Sequence, residues 1–213
     1  KDVKDLPKII KQAFHIARTG KPGPVVIDLP KDVQTAKTHF EYPDTVKLPG
    51  YNPTYKGHPL QIAKALSMLC QAERPVIISG GGVVASHAHE EITKLARALN
   101  IPVTNTLMGM GTFPESDSLS LGMLGMHGNY WANYAVTHCD VLFAVGTRFN
   151  DRITGCLNRF CRDAQIIHID IDPCSISKNV PVDVPIVGDA KIVLTDMLEL
   201  LNKEDTEINL EVK

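Results

Sequence analysis

The hydrophobic and polar positions of the first forty residues predict one helix followed by one strand. Apolar side chains between Leu6 and Ala17 recur at helical spacing, and Gly20 then supplies a helix stop. The run from Gly23 to Pro30, bounded by prolines, is predicted to form a short buried strand. One helix and one strand are too little for a domain, so we expect residues 1–40 to be the C-terminal remnant of a preceding domain.

A segment rich in proline and glycine follows this first part. Between Thr38 and Pro59 these residues are spread among polar and aromatic side chains. That composition is typical of an extended linker that crosses a surface. We therefore predict a domain boundary here, with residues 41–59 as the linker.

Helical and strand patterns alternate in the rest of the chain. Helices are predicted over 60–69, 86–99, 129–137 and 190–201, and strands over 75–79, 101–104, 141–145, 165–171 and 184–187. The strand segments are apolar without period-two alternation, which favours a parallel sheet covered by helices on both faces. The sequence predicts an α/β domain over 60–202, a doubly wound parallel sheet of the Rossmann-like kind, with a polar tail at 203–213.

Composition and charge limit the partners that this chain could bind and indicate its cellular compartment. With 22 basic and 24 acidic residues the formal charge is −2, and no basic block suggests nucleic acid as a partner. No apolar run approaches the length of a membrane span, so we expect no membrane association. The five cysteines form no CxxC pair, which favours reduced thiols and a cytoplasmic location. Because the first residue is Lys, an organellar targeting sequence could be missing.

Glycine and methionine are concentrated where the predicted strands end. Gly80, Gly81 and Gly82 follow the strand at 75–79, and Met-rich stretches occupy 106–111 and 123–128. Glycines allow a backbone to approach a ligand closely, and methionines form adaptable apolar surfaces. The pair of Met-rich stretches suggests one planar ligand held between two loops. Tight turns and core filling would give the same residues without a ligand.

Charged residues follow the next two strands. The strand at 141–145 runs into GTRFNDR, where Arg148 and Arg152 would suit a pyrophosphate. Asp170 ends the following strand, as the acidic residue that holds ribose hydroxyls does in nucleotide-binding folds. The fingerprint GxGxxG is absent, and a solvated Arg–Asp pair would explain the loop equally well. No HExxH, GxSxG or Walker sequence indicates a catalytic centre.

The order of these segments resembles the large subunit of acetolactate synthase, a family of thiamine-diphosphate enzymes. The matching segments are GKPGPVVIDLPKDVQ, PVIISGGGV, NTLMGMGTFP, LGMLGMHGNYWANYAV, VGTRFNDRITG, IIHIDIDP and VGDA. The resemblance implies a fragment carrying the central FAD-binding domain and the tail of the pyrimidine-binding domain. Thiamine diphosphate and Mg²⁺ would be held outside this chain, which would itself be inactive. The intact enzyme would condense pyruvate with a second 2-oxo acid, with loss of CO₂, in branched-chain amino-acid biosynthesis.

The resemblance also assigns site residues and partners. The residues it places at FAD are Lys21, Gly80, Gly81, Gly82, Thr106, Leu107, Met108, Gly109, Met126, His127, Gly128, Gly146, Thr147, Arg148, Phe149, Asp151, Arg152, Asp170, Ile171, Gly188 and Asp189. Lys21 stands where many members have arginine, and Lys31 resembles a residue near the substrate channel. The implied partners are further copies of the large subunit and a small regulatory subunit.

Several alternatives share the fold. Glyoxylate carboligase and pyruvate oxidase contain the same kind of central domain, and a stand-alone nucleotide-binding module or a sirtuin-like deacylase would use a related sheet. The isolated helix and strand before Thr38 argue against a stand-alone module. Zinc-spaced cysteines, which the deacylase would require, are lacking.

Overall fold

The computed structural model describes the backbone of residues 2–211 and the side chains of residues 2–203. The chain divides into two compact units, one up to Pro53 and one from Thr54 onward. The helices are α1 Leu6–Arg18, α2 Lys31–Thr35, α3 Pro59–Gln71, α4 Gly81–Ala85, α5 His89–Leu99, α6 Tyr130–His138, α7 Asp151–Thr154 and α8 Ala190–Glu211. The strands are β1 Pro75–Ser79, β2 Val103–Asn105, β3 Ser120–Met123, β4 Val141–Val145, β5 Gln165–Asp170 and β6 Val184–Val187.

The first unit is built around α1 and the segment that follows it. Pro7 occupies the first turn of α1, where its missing N–H costs nothing. The Tyr51 hydroxyl lies 2.9 Å from Thr19 Oγ1, and Lys11 Nζ donates to the carbonyl of Asp44. Residues 43–51 of the predicted linker therefore pack along α1.

The prediction of a buried strand at Gly23–Pro30 is wrong. This segment has no strand assignment, and Val26 is 92% exposed. A strand exists only through hydrogen bonds to a neighbouring strand, and the described part of the first unit contains none for it to pair with. The apolar run is an unpaired extended segment.

The second unit is a six-stranded parallel sheet covered by helices, as the sequence predicts. The strand order is β3-β2-β1-β4-β5-β6, and every neighbouring pair is parallel. All six strands therefore end at one edge of the sheet, here called the carboxyl edge. The α/β doubly wound fold is confirmed.

The central strands β1 and β4 are largely apolar because both of their faces are buried. Ile77 and Phe143 belong to the cluster packed under α3, α5 and α8. Their neighbours Ile78 and Leu142 belong to a second cluster under α6. Alternate residues of each strand thus face opposite helix layers, which removes the polar positions of a half-exposed strand.

Element boundaries differ from the prediction mainly at the carboxyl edge. We predicted a helix over 86–99 capped by Ser86, whereas α4 already begins at Gly81 and Ser86 ends it. Strand β3 and helices α2 and α7 have no counterpart in the prediction. The remaining strands and long helices of the second unit agree to within about two residues at most ends, apart from α8, which continues to Glu211.

The described residues contain neither a candidate membrane span nor a candidate metal cluster. No described helix is both long and apolar enough to span a bilayer. No group of three or more His, Cys, Asp or Glu side chains in the described part of the chain is arranged to hold a metal ion.

Candidate functional site

The reversal of strand order defines the candidate site. From β1 the chain builds the sheet outward through β2 and β3, and it then returns to place β4 on the other side of β1. The loops after β1 and β4 consequently leave the sheet in opposite directions. In open parallel sheets such a switch point forms the crevice in which ligands bind.

The glycines at this crevice are required by contact between loops. A Cβ on Gly80 would lie 2.3 Å from the carbonyl oxygen of Gly146, and a Cβ on Gly82 would lie 2.6 Å from the Cα of Gly146. Gly109 is equally confined, because its Cβ would lie 2.1 Å from the carbonyl oxygen of Ser79. These glycines let the loops after β1, β2 and β4 pack backbone against backbone.

The turn after β2 presents apolar side chains to solvent. Thr106 caps it by accepting a hydrogen bond from the backbone N–H of Gly109, and its own N–H donates to Ser79 O at 3.0 Å. Leu107 and Met108 are 73% and 71% exposed. This turn therefore holds two large apolar side chains at the carboxyl edge without burying them.

A buried polar network lies beneath that turn. Ser79 Oγ and Thr112 Oγ1 are 2.6 Å apart, and Thr112 Oγ1 donates to the Gly109 carbonyl at 2.7 Å. Asn105 Oδ1 lies 3.2 Å from the same hydroxyl. The Asn105 Nδ2 group is buried, and no described residue accepts a hydrogen bond from it.

The loop after β3 reaches across the edge to α7. Met126 N donates to the carbonyl of Arg152 at 2.8 Å, and Arg152 Nη1 lies 3.6 Å from Met126 Sδ. Met126 and His127 are exposed. Gly128 is confined by the backbone of Met123 and Leu124. This contact brings together two segments that lie 26 residues apart in sequence.

Two asparagines of α6 hold this loop in place. Asn133 accepts from the N–H of Gly125 at 2.9 Å and donates to the carbonyl of the same residue at 3.1 Å. Asn129 caps α6 by accepting from Ala132 N, and it donates to the carbonyl of Leu121 at 2.7 Å. The helix thereby fixes both the end of β3 and the start of the Met126 loop.

The turn after β4 carries an exposed arginine, Arg148. Thr147 is buried, and its Oγ1 has no hydrogen-bond partner among the described residues. Arg148 is exposed, whereas the ring of Phe149 is 2% exposed and packs in the core. Asp151 and Arg152 are exposed at the start of α7. The ring of Phe149 thus packs beneath the turn, whereas the side chains of Arg148 and Asp151 are exposed.

His168 of β5 lies beneath the same turn. Its Nε2 is 2.8 Å from the carbonyl oxygen of Thr147, and its ring meets that of Phe149 edge-on at 5.0 Å between centroids. Burial lowers the pKa of His168 to about 4, and the hydrogen bond to Thr147 opposes that shift. The imidazole is therefore neutral at physiological pH and fully enclosed.

The loops after β5 and β6 contribute carboxylates that are already engaged by backbone groups. Asp170 is nearly buried and accepts from Asp172 N at 2.8 Å. Asp189 caps α8 by accepting from Lys191 N and Ile192 N. A Cβ on Gly188 would lie 2.9 Å from Val193 Cγ2. Capping and close packing thus account for Gly188 and Asp189 without a ligand.

The structure brings most of the predicted site residues to one edge of the second unit. Ile171 is half-buried directly after β5. Lys21 and Lys31 belong to the first unit, where both are exposed and Lys31 begins α2. The sequence reasoning did not single out Asn105, Asn129, Asn133 and His168. A histidine inside the buried run QIIHID and two asparagines four residues apart were the signals available.

Comparison with known proteins identifies the class. Residues 62–197 match the family model described as "Thiamine pyrophosphate enzyme, central domain", and the chain belongs to this family. A protein from Mycobacterium smegmatis, described as a putative thiamin diphosphate-dependent enzyme, superposes with a TM-score of 0.76 at 24% identity. That match covers 93% of this chain and 38% of the other, and it supports the fold.

Curated relatives narrow the class further. The chain is 55% identical to the probable acetolactate synthase large subunit of Methanocaldococcus jannaschii over its whole length. It is 49% identical to the acetolactate synthase isozyme 3 large subunit of Escherichia coli, with 96% of this chain matched. The chain spans about a third of the length of these relatives, 36% in both cases.

Proposed function

We propose that the second unit binds FAD along the carboxyl edge of its sheet, as the central domain of an acetolactate synthase large subunit. The observation that carries this proposal is the meeting of the Gly80 and Gly146 turns at the switch point, with Arg148 exposed beside them. A crevice at this place suits an extended nucleotide cofactor.

The nucleotide half of FAD would lie near the ends of β4 and β5. Arg148 offers a planar guanidinium that can pair with a pyrophosphate through two hydrogen bonds. Asp170 follows at the end of the neighbouring strand, where an acidic residue can accept from ribose hydroxyls.

The flavin ring would lie against the methionine-rich loops. Leu107, Met108 and Met126 are large, apolar and exposed at the same edge. Exposed apolar side chains in a cluster mark binding surfaces, and flexible methionines adapt to a flat ring. Arg152, beside Met126, adds a positive charge to that end of the site.

Unsatisfied polar groups at the edge fit a polar ligand. Asn105 Nδ2, Thr147 Oγ1 and Asn150 Oδ1 are buried and have no hydrogen-bond partner in the part of the chain that the structure describes. Buried polar groups are normally hydrogen-bonded, and leaving one unpaired costs roughly 1–3 kcal/mol. These groups lie at the end of β2 and on the loop after β4, and together they favour a ligand with both donor and acceptor atoms.

We further propose the activity of the intact protein. The named relatives support condensation of pyruvate with a second pyruvate or 2-oxobutyrate, with loss of CO₂. Thiamine diphosphate and Mg²⁺ would be bound by parts of the protein outside this chain. Further large subunits and a small regulatory subunit are the proposed partners.

Flavin fluorescence titration of this chain tests the cofactor assignment. Arg148→Ala should weaken FAD binding by roughly ten- to a hundredfold, since a hydrogen bond to a charged group is worth about 1.5–3 kcal/mol. Arg162→Ala is the matched control, because Arg162 is exposed on the turn before β5, at the opposite edge of the sheet. If both substitutions weaken FAD binding equally, or if neither weakens it, the pyrophosphate does not bind at Arg148.

A product assay tests the proposed activity. The full-length protein supplied with pyruvate, thiamine diphosphate, Mg²⁺ and FAD in aerated phosphate buffer should release acetolactate and CO₂. Acetyl phosphate would identify a pyruvate oxidase instead, and tartronate semialdehyde formed from glyoxylate would identify a glyoxylate carboligase.

A further inference from the structure

His168 is a buried polar side chain, and its one short side-chain hydrogen bond to the described residues is to the turn that carries Arg148. It is fully enclosed on β5, between the rungs formed with Ala144 and Pro185. Its Nε2 lies 2.8 Å from the carbonyl oxygen of Thr147. Asp170 Oδ2 is more distant, at 3.9 Å, and the aromatic neighbour is the ring of Phe149.

The hydrogen-bond chemistry determines the tautomer of this imidazole. A carbonyl oxygen can only accept, so the proton must reside on Nε2. The ring is neutral, and Nδ1 is therefore a bare acceptor, buried and without a partner. An apolar residue at this position would avoid that unpaired nitrogen. The donor on Nε2 is thus the feature that distinguishes His168 from an ordinary core residue.

Anchoring the Thr147 carbonyl also orients the next N–H. The peptide bonds are trans, so the N–H of Arg148 points in the direction opposite to the Thr147 carbonyl. The carbonyl points inward to His168, and the Arg148 N–H therefore points away from the core. Among the described residues, none accepts a hydrogen bond from this N–H.

We propose that His168 is a positioning residue that locks the Thr147–Arg148 peptide so that the Arg148 backbone N–H faces the pyrophosphate of a bound dinucleotide. This inference rests on the proposed FAD function and adds a residue that does not touch the ligand. Asn179 anchors the carbonyl of Phe149, two residues after Thr147, because its Nδ2 donates to that oxygen at 2.9 Å. Phe149 itself has a positive φ of 47°, a strained backbone that needs such external anchors.

Two substitutions separate this role from plain core packing. His168→Gln keeps a donor near the position of Nε2, whereas His168→Met fills similar space without a donor. FAD affinity should be nearly unchanged in His168→Gln and roughly tenfold weaker in His168→Met. A purely structural role would rank the two variants by stability, so circular dichroism melting of both is measured alongside.

Nuclear magnetic resonance provides a readout that does not depend on FAD. The ¹⁵N shifts of the His168 ring should show a protonated Nε2 and a bare Nδ1. Inorganic pyrophosphate should shift the Arg148 amide resonance in the wild-type chain and in His168→Gln, and less in His168→Met.

A proton on Nδ1, full FAD affinity in His168→Met, or equal losses in both variants would each overturn the inference. If the wild-type chain binds no FAD, the proposed function fails. The ring tautomer and the pyrophosphate-induced shifts still decide the role of His168 in that case.

Discussion

At the scale of single residues, the glycines of the carboxyl edge are explained by backbone packing. A glycine that serves only flexibility tolerates alanine, whereas one that touches a neighbouring backbone does not. Gly82 lies in α4, where alanine is intrinsically the better helix former by about 1 kcal/mol. Alanine at position 82 would gain this helix propensity but would place a Cβ against Gly146. Glycine is required here only if that contact costs more than the propensity gains.

We predict that Gly82→Ala destabilises the chain by about 1–3 kcal/mol despite the better helix propensity, because the new Cβ would meet backbone that cannot rotate away. Gly23→Ala is the control, since nothing lies within 4 Å of a Cβ at that position. Urea denaturation measures both. A stabilising effect of Gly82→Ala would show that the loops are farther apart than described.

His168 makes a second prediction, on the pH dependence of stability. Its pKa is about 4 in the folded chain, and an unfolded histidine titrates near 6.5. Between these values the unfolded state binds a proton that the folded state does not, so stability falls as the pH is lowered from about 6.5 to 4. The loss attributable to this group is on the order of 3 kcal/mol.

The measurement compares the free energy of unfolding of the wild-type chain with that of His168→Gln at pH 7, 5.5 and 4.5. Contributions from carboxylates remote from His168 cancel in the difference between the two proteins, whereas Asp170, 3.9 Å from the ring, is the one neighbouring carboxylate that the structure gives for it. The wild type should lose stability relative to the variant as the pH falls. Parallel curves would mean that His168 is accessible to solvent or already paired with a charge.

The roles of individual residues can be predicted from the sequence to different degrees. Arg148 and Met126 could be placed near a ligand because parallel strands end at one edge and these residues follow strands. His168 and Asn133 could not, because their roles depend on which carbonyl each side chain meets across 21 and 8 residues of sequence. Phe149 follows a strand just as Arg148 does, yet its positive φ turns the ring into the core.

At the scale of elements, most of the strands could be predicted from the sequence because they are largely apolar runs. Strands β1, β4 and β6 coincide with the predicted segments, because each is an unbroken apolar run. Strand β3 escaped prediction because it lies at the sheet edge, is half-buried and contains Gly122. The segment 23–30 has the composition of a strand but lacks a neighbour, and pairing is a non-local property that composition does not encode.

Helix α6 acts on the candidate site through Asn133. We predict that Asn133→Ala speeds hydrogen exchange at the Gly125 amide at least tenfold and lowers stability by about 1–3 kcal/mol, since it removes both bonds to that backbone. Thr137→Ala is the control on the same helix, because its hydroxyl bonds only the carbonyl of Asn133 on an exposed face.

Hydrogen exchange followed by NMR distinguishes the two variants. Unchanged protection of Gly125 in Asn133→Ala would mean that the Met126 loop holds its position without α6. The contact between Met126 N and Arg152 O would then have to be sufficient by itself.

At the scale of the whole molecule, the carboxyl edge of the sheet suits the proposed binding of FAD, whereas the proposed chemistry depends on parts of the protein outside this chain. The buried histidine is neutral and enclosed, and the charged residues of the edge suit binding. We predict that this chain, given pyruvate, thiamine diphosphate and Mg²⁺, forms no acetolactate above background in a colorimetric assay. Appreciable turnover would show that the groups assigned to other parts of the protein lie within these residues.

The central claim is that the carboxyl edge recognises the nucleotide half of FAD, and affinities for three flavins test it most directly. Fluorescence titration of this chain with FAD, FMN and riboflavin should give the order FAD, then FMN, then riboflavin. FMN lacks the adenosine half and riboflavin lacks both phosphates, so each step removes contacts worth about tenfold or more in affinity. Equal affinities for FAD and FMN would contradict the assignment of Arg148 and Asp170 to the nucleotide end.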